Sequence, residues 1–134
     1  MKTILREQLL EHLLQLSTVI DRYASGDPYF VGSAIAWISD VETTLSRFRQ
    51  RDTSLLAAQR GMIQASYDGY YDPQLNAAQT SKRKAIRATT AACLARVESA
   101  VRARVQVIDD SLVPLRLKMA QLISVASAVE PIPL

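Results

Sequence analysis

Side chains able to do chemistry are few in this chain, and many gather in one stretch. From Tyr67 to Arg87 it reads YDGYYDPQLNAAQTSKRKAIR, with three tyrosines, two aspartates at turn-forming positions, and the cations Lys82, Arg83, Lys84 and Arg87. Several cations on one surface are what the neutralisation of phosphates requires. The partner expected for Lys82, Arg83, Lys84 and Arg87 is therefore an anionic macromolecule, a nucleic acid or nucleoprotein. At 100° per residue of helix, Lys82, Arg83 and Lys84 point in three directions, giving a diffuse positive end and not a one-sided groove-reading face. They also fall near the start of a helix, where the dipole disfavours positive charge. Local stability does not explain that placement, which is what makes a functional reading worth pursuing.

Other chemistries lack their parts. His12 is the only histidine, so neither a His-rich zinc site nor a di-iron Glu-x-x-His pair can be assembled from one chain. The single cysteine, Cys93, excludes an internal disulfide, and its place among apolar residues at helical spacing predicts a core thiol. No glycine-rich phosphate cradle is present. Asp68 and Asp72 read as turn and cap residues. No catalytic residue, metal or cofactor is expected, and the chain reads as non-enzymatic.

One local pattern points to an alternative. The seven residues Arg6 to His12, REQLLEH, resemble the Arg-x4–6-His signature of the HEPN ribonucleases, which are small helical bundles. The resemblance implies RNA cleavage promoted by Arg6 and His12, usually across a dimer. In that family the motif lies on a late helix, whereas here it lies on the first.

These residues need rods to hold them. The chain has 134 residues, 49% of them apolar and 22% charged, the balance of a globular domain. Four glycines and eight aromatics argue against a sandwich of strands, while Ala, Leu, Arg and Gln favour helix. The first helix is expected from about Lys2 to Ala24, with Leu9, Leu13, Leu16, Ile20 and Tyr23 on one face and a stop at Ser25-Gly26. Asp27-Pro28 starts the second, which carries Val31, Ile35, Ile38, Val41, Leu45 and Phe48 and ends on Arg47, Arg49 and Arg51. Asp52 or Ser54 caps the third, with Leu55, Leu56, Met62, Ile63 and Tyr67; Gly61 inside it permits close packing, and Asp68-Gly69 ends it. Asp72-Pro73 starts the fourth, carrying Ile86, Cys93, Leu94, Val97, Val101, Val105 and Ile108. Pro114 kinks or ends that helix, and Ser111 caps a short fifth through Leu115, Met119, Leu122 and Ile123.

Short connections make neighbours antiparallel. The expected fold is all-α: an antiparallel up-down bundle of four long helices with a short fifth C-terminal helix, one domain over 1–129 and an extended tail over 130–134. The first helix spans about 34 Å, while an unbroken one from Pro73 to Asp110 would span nearly 57 Å, roughly. Either the fourth breaks near Thr80-Ser81, or it projects and needs a partner, which predicts a homo-oligomer. In an up-down bundle the corners after the first and third helices share an end. Those corners hold every tyrosine, and Tyr23, Tyr29, Phe30, Tyr67, Tyr70 and Tyr71 are the expected protein interface. The competing arrangement has the rings plug the bundle end.

Charge is unevenly shared. Residues 1–72 carry seven basic and nine acidic side chains, or −2, and residues 73–134 carry nine and four, or +5, within a net +3. The longest uncharged run near the C-terminus, Met119 to Val129, is eleven residues, where a membrane span takes about twenty. With no secretory pattern at the start either, a cytoplasmic protein without membrane contact is expected. The function expected is a self-associating interaction module that binds nucleic acid through its basic patch. Besides the ribonuclease, a purely structural oligomer is the alternative.

Overall fold

The computed structural model describes residues 2–51, 53–71 and 81–129, the side chains of 126–129 excepted. It is all-helical, with four helices and no strand among the described residues: α1 (Lys2–Ala24), α2 (Phe30–Arg47), α3 (Ser54–Ser66) and α4 (Lys82–Val129). α1 packs on α2 and α4, α3 packs on α2 and α4, and α2 also meets α4. One apolar cluster joins all four helices, from Leu5, Leu9, Leu16 and Val19 through Phe30, Val31, Trp37, Ile38, Val41 and Leu45 to Leu56, Ile63 and the α4 stripe Ile86–Ile108. Every α4 residue expected in the core up to Ile108 is buried. On α1 the buried face is turned slightly from the expected one: Val19 is inside, while Ile20 and Tyr23 are nearly half-exposed.

Three helices end on the same hydrogen-bonding device. After α1, Asp27 N–H donates to Arg22 C=O and Gly26 N–H to Tyr23 C=O. After α2 the donors are Gln50 and Arg49, to Leu45 and Ser46; after α3 they are Tyr70 and Gly69, to Ala65 and Ser66. This six-to-one plus five-to-two pair is the Schellman closure, and its penultimate residue must be left-handed. Gly26 (φ 73°) and Gly69 (φ 93°) take that conformation without a Cβ clash, whereas Arg49 (φ 56°) takes it against its preference.

Helix starts differ from expectation. Asp27 does not cap α2 directly; its Oδ1 accepts from Tyr29 N–H at 2.7 Å, and residues 27–30 make a turn that delays the helix to Phe30. Asp52 and the Asp72-Pro73 start lie outside the described residues, as does the 130–134 tail. α4 begins at Lys82, one residue after Ser81, whose Oγ accepts from Lys84 N–H. No separate fifth helix forms: α4 is 48 residues, about 72 Å at 1.5 Å per residue, and runs through Pro114. Proline removes one ladder hydrogen bond at roughly 3 kcal/mol and does not forbid continuation. Gly61 is not a packing notch, since an added Cβ there would meet open space.

Candidate basic and aromatic interface

The start of α4 is where three parts of the chain meet. A groove of about 380 Å³ is lined by Pro28 and Val31 from the α1–α2 corner and the beginning of α2, Tyr67 from the end of α3, and Lys82, Arg83, Ile86 and Arg87 from α4. Three of the four basic residues, Lys82, Arg83 and Arg87, thus share one concavity with Tyr67. Its floor is apolar, through Val31 and Ile86, and its rim is cationic.

The four cations play two different roles. Arg87 is turned to the α1–α2 corner: one guanidinium nitrogen donates to Asp27 C=O at 2.7 Å and the other to Tyr23 C=O at 3.0 Å. The same guanidinium lies over the rings of Tyr23 and Phe30, 5.4 and 5.2 Å from their centroids. Arg87 is therefore a clasp, tying the end of α1 to α4. Lys82, Arg83 and Lys84 are exposed and pair with no carboxylate among the described residues. They occupy the first turn of α4, the end of a helix that carries positive character.

Plug and patch share the aromatic set between them. Phe30 is the plug, 1% exposed, tilted against Tyr23 at 5.0 Å between centroids. Tyr71 is half-buried against the core. Tyr29 and Tyr70 stand 73% exposed, and Tyr23 and Tyr67 are intermediate between these extremes. What the sequence pattern does not separate is Arg87 from its three basic neighbours, because only the fold shows which cation reaches the corner.

Arg6 and His12 are engaged with different helices. Arg6 Nε donates to Asp109 Oδ1 on α4. His12 Nε2 shares a 2.7 Å hydrogen bond with Thr44 Oγ1 on α2, where Trp37 Nε1 also donates to the His12 carbonyl at 2.8 Å. Within one chain the two side chains face different neighbours. Cys93 is fully buried, as expected. Among the described residues no three His, Cys, Asp or Glu side chains group to hold a metal ion, and no helix is long and apolar enough to cross a membrane. Elsewhere, Arg60 donates two hydrogen bonds to Glu42, and these bonds, with the carboxylate's charge, raise the guanidinium above its ordinary pKa. No family model, no curated protein and no solved structure matches this chain.

Proposed function

We propose that this chain is a non-enzymatic, self-associating helical module that binds single-stranded nucleic acid at the start of α4. One observation carries the reading: Lys82 and Arg83, free of carboxylate partners among the described residues, rim the same groove as the half-exposed Tyr67 ring. Backbone phosphates would meet the cations while a base stacks on Tyr67 or the exposed Tyr70, each stack contributing roughly 1–3 kcal/mol. Tyr29 and Tyr23 extend the exposed aromatic surface and suit a protein contact beside it.

An up-down order of antiparallel helices underlies this reading. Contacts supporting it are Arg22 to Ser33 and His12 to Thr44 between α1 and α2, and Arg6 to Asp109 and Arg87 to Tyr23 between α1 and α4. In both pairs, numbers rise on one helix as they fall on the other.

The test is fluorescence anisotropy with a labelled single-stranded oligonucleotide across a salt series. Binding should weaken with added salt, each phosphate contact contributing a slope of about −0.7 for single strands. Replacing Lys82, Arg83 and Lys84 by alanine should remove about two to three contacts, flattening the slope by roughly 1.4–2.1. No binding at low salt, or an unchanged slope in the triple variant, defeats the proposal. RNA cleavage abolished by His12→Ala would instead establish the ribonuclease alternative.

A further inference from the structure

Charge is divided between two sides of the bundle. Residues 47–87 carry eight basic and three acidic side chains, or +5, and the rest of the chain carries eight and ten, or −2. α3 lies in the middle of the positive segment and is the only one of the four helices without an acidic residue. Its one cation, Arg60, is paired with Glu42 of α2. Three further carboxylates of α2 and α4 are turned towards α1. Asp40 lines a cleft with Glu11 and Gln15, Glu98 lines a groove with Leu16 and Ile20, and Asp109 holds Arg6.

Both ends of α3 adjoin cations with no carboxylate partner among the described residues. After its last turn, Tyr67 shares the groove with Lys82 and Arg83. Before its first turn, the α2–α3 corner carries Arg49 and Arg51, both exposed. The corner's third arginine, Arg47, lies in the last turn of α2, where the dipole favours it. That benefit fades beyond the turn and does not account for the two that follow. Arg49 also takes a left-handed φ of 56°, which costs a residue with a Cβ roughly 1–2 kcal/mol and glycine little. An arginine at a glycine position, whose side chain has no hydrogen bond or ion pair among the described residues, points to a use outside the fold.

We propose that the strand bound at the start of α4 continues along α3 to the α2–α3 corner, where Arg49 and Arg51 hold a second set of phosphates. This rests on the nucleic-acid reading above and extends it from a point to a path. α3 has 13 residues, about 20 Å at 1.5 Å per residue. At about 3.4 Å per phosphate in a stacked strand, that distance takes about six nucleotides. A strand that reaches both anchors meets the second at high effective concentration, whereas a shorter one holds a single anchor. The division of charge turns the α3 side of the bundle, and not the α1 side, towards a polyanion.

Fluorescence anisotropy with a labelled thymidine trinucleotide and a dodecanucleotide, each across a salt series, reads the path. The dodecamer should bind more tightly than the trimer and with a steeper salt slope. Arg49→Gly combined with Arg51→Ala should remove about two contacts, flattening the dodecamer slope by about 1.4 and leaving that of the trimer unchanged. Glycine suits the left-handed position, so the urea midpoint of this variant should not fall, which separates weaker binding from unfolding. Arg116→Ala combined with Lys118→Ala, two exposed cations off the path, should keep the wild-type slope. Equal flattening in that control would show diffuse attraction and overturn the path. So would a dodecamer slope that responds to Lys82, Arg83 and Lys84 but not to Arg49 and Arg51, a result that leaves the α4 site standing. A dodecamer that fails to bind at low salt overturns both.

Discussion

The Arg87 clasp is the feature most open to quantitative attack. Replacing it by alanine removes two charge-assisted hydrogen bonds to backbone carbonyls and its stacking on Tyr23 and Phe30. Hydrogen bonds from charged donors contribute about 1.5–3 kcal/mol when enclosed, but one of these is part-buried and the other exposed, so about half of that, 0.75–1.5 kcal/mol, applies to each. A cation over a ring at a partly open site adds about 0.5–1 kcal/mol. Together the loss should be about 2–4 kcal/mol, a large share of a typical domain's stability. Trp37, the sole tryptophan and 3% exposed, reports the transition by its fluorescence in a urea titration. In a thermal scan the same loss should lower the midpoint on the order of 10 °C. Arg87→Lys should recover less than half, because one ammonium cannot reach both carbonyls and lie flat over the rings. Lys82→Ala and Arg83→Ala serve as controls and should stay within about 0.5 kcal/mol of the wild type. If Arg87→Ala unfolds at the same urea concentration as these controls, the division of the basic cluster into one structural cation and three without carboxylate partners among the described residues is wrong.

Arg49→Gly should stabilise the chain by about 0.5–1 kcal/mol in the same urea titration, because glycine takes the left-handed position after α2 without strain; a destabilised variant would mean that the arginine side chain has its own role there. Cys93, fully buried, should resist a thiol-specific reagent in native buffer and react at a rate set by opening of the core, so immediate labelling of the native protein would refute its placement. Reversing Lys82, Arg83 and Lys84 to glutamate should raise the thermal midpoint at low salt, by about 1–2 kcal/mol of favourable dipole contact, while abolishing oligonucleotide binding; a lower midpoint would contradict the conflict inferred at this helix start.

Periodicity reveals the α4 stripe because each of its core residues repeats at three or four positions over more than twenty residues. The stops at Gly26 and Gly69 are visible for a related reason, since glycine after an apolar-periodic run announces a left-handed residue. The equivalent closure at Arg49 carries no such signal: its geometry is imposed by the chain's turn towards α3, and Arg47, Arg49 and Arg51 look alike as cations at a helix end. Asp27-Pro28 misleads by two residues because the aspartate caps a turn with the same side-chain chemistry it would use on a helix. At Pro114 the reading overstates the proline. The missing N–H costs one hydrogen bond just past Leu112, where packing on the bundle thins out, and the helix continues. Trp37 escapes notice altogether, as its value lies in an indole N–H reaching the His12 carbonyl on another helix, a relation no local window contains.

What distinguishes the beginning of α4 is the disagreement between charge and local stability. Each cation in the first turn opposes the helix dipole by about 0.3–1 kcal/mol at low salt, and three of them stand there without carboxylate partners among the described residues. Elsewhere the chain treats its arginines differently: Arg6 is matched to Asp109, Arg60 to Glu42 and Arg102 to Glu98. Arg87, one turn further along, contributes its charge to the fold through carbonyls and ring faces. The exposed three contribute nothing comparable. Their positive potential adds to that of the helix start and is focused by the apolar walls of the groove beside Tyr67, where a phosphate would find charge, donors and a stacking face at once. A site unfavourable for the isolated protein becomes favourable when an anion arrives, and the binding free energy is larger for having that conflict relieved.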